Sequence, residues 1–390
     1  MPKVLQINAT ANWGSTGRIA EQINNVAREK GWETYIAYGR YANHSDSHLI
    51  RVGCLWDVYE HYFENLLFDN EGLASRRATK RLIKTIKEIS PDIIHLHNIH
   101  DHWINYKLLF EYLNVVKIPV VWTQHDCWAF TGHCHYYDIV NCQKWKQLCA
   151  SCPMNKLGID RSTRNFKLKE SLFNSNNNLV ITPVSTWLSE QFKNSILKDK
   201  EIIVIHNGID INVFKPGDRQ HSDTYNILGV SNEWSERKGL ADFIKLSDML
   251  PSNVKVTIVG LTKSQIKMLP KNIKGLERTG SIQELVDLYS NADVFVNPTY
   301  SDTFPTVNLE ALACGTPVIT YRTGGSPEAI DEETGIVVEQ GDFIGLTDAV
   351  TRLISNPLSR EKCRSRAERY FDKNKCFEKY LELYDKLLNS

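Results

Sequence analysis

Short apolar runs alternate with longer stretches in which apolar residues return every three or four positions, and the alternation persists along the whole chain. Val4 to Asn8, Thr34 to Tyr38, Ile93 to His97, Val120 to Thr123, Val180 to Pro183 and Ile202 to Ile205 read as buried strands, and about Thr16 to Lys30 as a helix. A second series has strands near Ile227 to Val230, Val254 to Val259, Asp293 to Asn297, Val318 to Thr320 and Ile336 to Val338. His206-Asn-Gly-Ile-Asp210 and Lys215-Pro-Gly-Asp218 separate the two series as a turn-rich hinge. Strand and helix in alternation predict parallel sheets with crossover helices, so the expected class is α/β, with two domains and a cleft between them. A last helix over roughly Lys375 to Leu388 repeats Phe377, Tyr380, Leu381, Tyr384 and Leu387 on one stripe, which has to pack against something.

Length agrees with two domains, since 390 residues exceed one ordinary core. Forty-six basic and 46 acidic residues cancel, which leaves no global field for nucleic acid. No apolar run approaches the roughly 20 residues that span a bilayer. The start, Met-Pro-Lys-Val-Leu-Gln-Ile-Asn, enters a strand without a signal-peptide layout, so a cytoplasmic location is expected. Nine cysteines then read as reduced thiols, metal ligands or core residues before disulfides.

Candidate chemistry concentrates where strands give way to helices. After Asp293-Val-Phe-Val-Asn-Pro298, residues 299 to 306 form a loop holding Asp302, Phe304, Pro305 and Thr306, and a helix from Thr306 to Cys314 ends at Gly315. Ligands of open α/β sheets bind at such strand ends; the helix start favours a phosphate, and Glu310, about one turn in, can accept hydrogen bonds from ligand hydroxyls. Arg237 and Lys238, after the first strand of the second series, suit a diphosphate. Gly14 and Gly17 in Gly14-Ser-Thr-Gly17 give a small-residue loop that admits a phosphate or sugar but lacks the full dinucleotide fingerprint. His125 closes the strand Val120-Val-Trp-Thr-Gln, and His97, Asn98 and His100 close the one before, where they are expected to line the acceptor side. Histidines 95, 97, 100 and 102 are split between strand and loop, which points them in different directions and argues against one shared metal.

The segment Asp302 to Ile319 resembles the donor-site signature of retaining glycosyltransferases of family 4, and the resemblance spans nearly the whole chain. It implies the GT-B fold: Rossmann-like domains over 1–205 (acceptor side) and 206–373 (donor side) facing across a cleft, and a helix at 374–390 returning to the N-terminal domain. Family members carry an E-x7-E pair; Glu310 matches the second glutamate, implied to hold the ribose, and Asp302 stands where the first contacts the donor sugar. Glu233 occupies the place of a usual arginine, for which Arg237 is the substitute. His125 is implied beside the transferred sugar, and Gly14 and Gly17 at the acceptor or donor phosphate. A nucleotide-diphosphate sugar is the implied donor, a saccharide or polyprenyl-diphosphate-linked saccharide the acceptor, and surface-polysaccharide assembly the pathway. A nucleotide-sugar epimerase or phosphorylase on the same fold, or a non-catalytic binding module, are the alternatives.

No D-x-D triplet occurs, so no catalytic metal is expected and Arg237 with Lys238 would neutralise the leaving diphosphate. Cys134-x7-Cys142-x6-Cys149-x2-Cys152, within a turn-rich loop over 126–157, has the donor set for structural zinc; reduced thiols and disulfides are the other readings. Cys54, Cys127, Cys314, Cys363 and Cys376 are isolated and expected to pack. Arg76 to Lys87 holds six cations and no acid, directly after an aromatic stretch from Trp56 to Phe68. On a helix this makes a basic face for an anionic membrane or a lipid diphosphate, at the inner face of the cell membrane, or else a solvated surface.

Overall fold

The computed structural model describes residues 1–155, 158–219 and 223–389. Residues 156 and 157, which end the expected loop 126–157, and residue 390 of the expected terminal segment lie outside the described residues. Two compact units divide the chain, one from Met1–His206 with Phe377–Ser390 and the other Asn207–Cys376.

In the first unit the order is β1 (Lys3–Asn8), α1 (Gly14–Glu29), β2 (Glu33–Tyr38), β3 (His48–Arg51), α2 (Leu55–Phe68), α3 (Arg76–Ile89), β4 (Ile93–Leu96), α4 (Tyr106–Leu113), β5 (Val120–Gln124), α5 (Ser162–Asn174), β6 (Leu179–Pro183), α6 (Thr186–Lys193) and β7 (Glu201–Ile202). The second unit contains β8 (Tyr225–Val230), α7 (Leu240–Met249), β9 (Val254–Val259), α8 (Lys263–Met268), β10 (Ile273–Leu276), α9 (Ile282–Asn291), β11 (Val294–Asn297), α10 (Thr306–Ala313), β12 (Val318–Tyr321), β13 (Gly335–Val338), α11 (Phe343–Ser355) and α12 (Arg360–Tyr370). A final helix, α13 (Lys373–Leu388), starts in the second unit and continues into the first.

Both sheets are parallel and obey one ordering rule. The first runs β3-β2-β1-β4-β5-β6-β7 and the second β10-β9-β8-β11-β12-β13. Strand order reverses between β1 and β4 in one and between β8 and β11 in the other, the topological switch points at which such sheets bind ligands. Central strands are rich in apolar residues, as strands covered on both faces are, and β4, β5, β6, β11 and β12 are buried at every residue.

The apolar stripe of α13 finds its partner on the first unit. Phe377, Tyr380 and Tyr384 are almost fully buried; Tyr384 Oη lies 2.5 Å from His95 Nδ1, and the Tyr380 hydroxyl 2.9 Å from Thr123 Oγ1. Trp32 packs at 5.5 Å from the Tyr384 ring.

Two expectations need correcting, and two strands lie outside the expected series. The strand expected over Ile202 to Ile205 is only Glu201–Ile202, because it lies on the sheet edge with one neighbour to pair with. Two further edge strands, β3 and β10, carry too few apolar residues to announce themselves. Cys54 does not pack in a core: it is exposed at the N-terminus of α2, its backbone N–H donating to Asp57 Oδ2 at 2.8 Å.

Candidate active site

In the second unit the loops leaving β8 and β11, the strands at the reversal, bring the expected residues together. A short turn, Glu236–Lys238, precedes α7, and Lys238 Nζ lies 2.5 Å from Asp302 Oδ2 with both side chains mostly buried. Arg237 donates from Nη1 to Ser301 O at 2.7 Å, while the N–H of Tyr300 donates to Arg237 O at 2.7 Å. Gly239 makes the approach possible: its φ is +74°, and a Cβ there would sit 2.0 Å from Pro298 O. Gly324 does the same from the loop after β12, where a Cβ would meet Asp302 O at 1.8 Å. That Thr323-Gly324-Gly325 turn was not singled out in the sequence, although a Gly-Gly pair just past a buried strand is a sign of close backbone approach.

Pro305 stands at the N-cap of α10, and no side chain caps that helix. Its anchor is a buried amide and hydroxyl chain: Asn297 Nδ2 donates to Asn308 Oδ1 at 2.9 Å, Asn308 Nδ2 to Ser326 Oγ at 3.0 Å, and Ser326 Oγ lies 2.6 Å from Thr320 Oγ1. Glu310 follows one turn in, one oxygen held at 2.9 Å by the hydroxyl of buried Tyr289. Phe304 is buried, its ring tilted against that of Phe371 at 5.9 Å, while Thr306 is half-buried. Cations, a carboxylate and a helix start are thus held in one neighbourhood, a donor set for phosphate and hydroxyl groups.

The first unit assembles a different set at its reversal. Gln6 Nε2 donates to Ala20 O at 2.8 Å and Asn24 Oδ1 at 2.6 Å, which turns its Oε1 toward His97 Nε2 at 2.6 Å. His97 therefore donates from Nε2 and accepts at Nδ1, 3.1 Å from His125 Nε2, which must donate. Burial pushes the His97 imidazole well below its ordinary value and that of His125 down to about 4, against the nearby Asp126 carboxylate. Both are neutral hydrogen-bonding groups near pH 7. The N–H of Asn98 donates to Asn8 Oδ1 at 3.2 Å. Gly14 opens α1 at φ +67°, and Gly17 packs so tightly that a Cβ would meet Thr10 Oγ1 at 2.6 Å.

His100 belongs to a separate buried group. Its Nε2 lies 2.9 Å from Asp126 Oδ2 and its Nδ1 3.2 Å from Asp101 Oδ1; His135 spans from Glu71 Oε1 (3.3 Å) to Asp126 Oδ2 (3.4 Å). Burial pulls the His100 imidazole down, but Asp126 and Asp101 outweigh it and raise it to about 9. Burial would raise Glu71; His135 and His100 instead hold it down at about 2. Glu71, Asp126 and His135 escaped the sequence reading because they come together only in three dimensions.

All four expected zinc cysteines line one pocket, together with His133. Cys134 Sγ and Cys152 Sγ are 3.8 Å apart, His133 Nε2 lies 2.9 Å from Cys152 Sγ, and the N–H of Gly132 donates to Cys149 Sγ at 3.3 Å. Hydrogen bonds from Cys134 and His133 favour the thiolate at Cys152. His133, an addition to the expected set, is oriented by Asp69, whose Oδ1 lies 3.0 Å from Nδ1.

Each unit thus gathers its candidate residues at the strand reversal of a parallel sheet. The model of Glycosyltransferase Family 4 matches residues 16–213, and that of Glycosyl transferases group 1 matches residues 214–370. The chain belongs to glycosyltransferase family 4. Among its relatives is WcaC of Escherichia coli (strain K12), assigned to colanic acid biosynthesis, 23% identical over 98% of this chain and 100% of the relative. Sucrose-phosphate synthase from Thermosynechococcus elongatus superposes with a TM-score of 0.77 at 18% identity, covering 100% of each chain. Anabaena Alr3699/HepE, solved with UDP and glucose, gives a TM-score of 0.68 at 15% identity over 99% of this chain and 100% of that one. These structural likenesses establish the GT-B fold.

Proposed function

We propose that the chain is a retaining hexosyltransferase that moves a sugar from a nucleoside-diphosphate sugar to a saccharide carried on a lipid diphosphate, in surface-polysaccharide assembly. The observation that carries this reading is the cluster in the second unit, with Arg237, Lys238 and Asp302 knitted together beside α10 and Glu310 one turn inside it. Arg237 and Lys238 neutralise the departing diphosphate, Glu310 holds the ribose hydroxyls, and Asp302 positions the sugar with Lys238 as its counter-ion. Phe304, Pro305 and Thr306 shape the donor pocket and present the helix start to phosphate. On the first unit, His125, with Nε2 given to His97, accepts a hydrogen bond at Nδ1 from a hydroxyl of the transferred sugar; His97, Asn98 and His100 line the acceptor side, and Gly14 and Gly17 approach the acceptor or the donor phosphate. Relatives support the pathway: WcaC is assigned to colanic acid biosynthesis, and HepE was solved with UDP and glucose. With two cations at the diphosphate, turnover needs no added Mg²⁺ or Mn²⁺. Incubation with UDP-, GDP- and ADP-sugars and a lipid-diphosphate saccharide tests the reading by product mass and anomeric configuration by NMR. A lengthened acceptor with the donor's anomeric configuration is expected; an epimerised free nucleotide sugar, or an inverted linkage, would overturn it.

The sulfur pocket fits structural zinc. Ligand atoms of His133, Cys134 and Cys152 lie within 4.8 Å of one another, and the 3.8 Å sulfur separation matches the edge of a tetrahedron with Zn–S near ~2.3 Å. Cys134, Cys142, Cys149 and Cys152, all on one pocket wall, supply the four donors, and His133 Nε2 lies 2.9 Å from Cys152 Sγ as its hydrogen-bond partner. The role is to tie the loop after β5, with no part in bond making.

Attachment to an anionic membrane from the cytoplasmic side is the remaining part. Helix α2 buries only His61 and exposes Trp56, Tyr59, Phe63, Leu66 and Leu67. Next to it, α3 turns Arg76, Arg77, Lys80, Arg81, Lys84 and Lys87 outward, with Ala78, Leu82 and Ile86 buried. Among the described residues no helix is long and apolar enough to cross a membrane. Cations beside an exposed aromatic face suit an anionic interface at about 1 kcal/mol per cation. Sedimentation with anionic vesicles at low salt, lost with neutral vesicles, is the expected result; equal recovery with both would reject attachment.

A further inference from the structure

The buried group around His100 draws on residues from distant parts of the first unit. Its parts come from four places in the sequence: Glu71 after α2, His100 and Asp101 after β4, Asp126 after β5, and His135 in the cysteine-bearing loop. One ligand atom each from Glu71, His100 and His135 falls within 4.8 Å of the other two. The imidazole rings of His100 and His135 are 4.3 Å apart and steeply inclined, at 76°.

Hydrogen bonding alone does not explain the arrangement. Both ring nitrogens of His100 are buried and have no hydrogen-bond partner among the described residues, although carboxylate oxygens stand 2.9 and 3.2 Å away. The contacts are short enough for hydrogen bonds, but the N–H directions miss the oxygens. Ligands at about 2.0 to 2.2 Å from a tetrahedral cation stand roughly 3.3 to 3.6 Å apart, and His135 Nε2 is 3.3 Å from Glu71 Oε1. The second requirement of such a centre is also met. Asp126 Oδ2 hydrogen-bonds His135 Nδ1 at 3.4 Å, as the carboxylates that orient metal-bound histidines do.

We propose that Glu71, His100 and His135 bind a zinc-class divalent cation, with Asp126 orienting the His135 imidazole. Two imidazole nitrogens and one carboxylate oxygen form a borderline donor set that suits Zn²⁺, with a fourth position for water or an acceptor hydroxyl. The ion ties the segments around residues 71, 100 and 135 into one rigid wall on the acceptor unit. It is distinct from the sulfur pocket, although the two share a strip of chain. His133 pairs with Asp69 and His135 with Glu71, so alternate residues of the same two segments serve one site each.

Metal counting on the full chain, purified without chelator and supplied with Zn²⁺, tests the proposal. About two zinc ions per chain are expected. Glu71→Gln and, separately, His135→Asn each lose about one and keep the other, whereas Cys134→Ser with Cys152→Ser loses the other one and keeps the first. A Glu71→Gln or His135→Asn protein with wild-type zinc content would overturn the assignment whether or not the sulfur site holds. Cobalt loading of the unaltered chain covers the case in which a variant fails to fold. Visible d–d bands beyond those of the sulfur-ligated ion, retained in Cys134→Ser with Cys152→Ser, are expected. A cobalt spectrum accounted for by the sulfur site alone, or wild-type protein with no ion outside it, would overturn the proposal.

Discussion

The two sheets share a strand order, and yet their reversal points are furnished in opposite ways. Of the 12 histidines, all but His221 lie at or before His206, and the first unit surrounds its switch point with buried imidazoles and carboxylates. The second unit gathers two cations, a carboxylate and an uncapped helix start. Topology fixes where a ligand can sit, while the side chains at the strand ends decide which ligand. Fixed charge with open donors suits a diphosphate; neutral imidazoles held by burial suit uncharged hydroxyls.

The largest effect should come from the second unit. Arg237→Ala with Lys238→Ala is expected to lower kcat by about 10² to 10³-fold, the order seen when a transition-state charge loses a preorganised donor, with folding preserved by circular dichroism. Unchanged turnover in steady-state assays would remove the diphosphate role from this unit and with it the contrast between the two.

Acid should separate the units next. Burial, aided by the charge of His125, pushes His95 down to about 3. The folded chain then excludes a proton that the unfolded chain, titrating near ~6.5, accepts. Stability from this group is therefore present above about pH 6.5 and lost as pH falls toward 3, about 2 kcal/mol of it by pH 5. All but one of the nine tryptophans, Trp234, lie in the first unit, so denaturant melts followed by tryptophan fluorescence report mainly that unit. A His95→Gln protein whose midpoint changes between pH 7 and 5 as much as the wild type's would contradict the assigned burial of His95. A smaller effect is expected from Gly239→Ala. Its positive φ and the close Pro298 carbonyl should cost about 1 kcal/mol or more, read as a lower Tm together with a higher KM for the donor; wild-type values of both would show that the loop tolerates a Cβ.

Legibility in the sequence follows the range of the interactions. Strands β1, β5 and β9 and helices α1, α3 and α10 were visible because each satisfies a local period, and the loop holding Asp302 was visible because it lies between two such elements. Edge strands β3 and β10 were not, since a strand with one neighbour needs little apolar character. Lys238 and Asp302 could both be named, but not their 2.5 Å contact across 64 positions. The Glu71, His100, Asp126 and His135 group was the least visible, for no local pattern links positions 71 and 135. His133 stood beside an expected ligand, yet its place on the sulfur pocket depends on Asp69, 64 residues away.

Titration calorimetry with UDP, GDP and ADP, on the wild type and on Glu310→Ala and His125→Ala, tests the division of labour most directly. For whichever nucleotide binds the wild type, Glu310→Ala should weaken binding at least about tenfold, the ~1.4 kcal/mol that a lost charged hydrogen bond exceeds, and His125→Ala should leave it unchanged. Nucleotide affinity that survives in Glu310→Ala and disappears in His125→Ala would contradict the account.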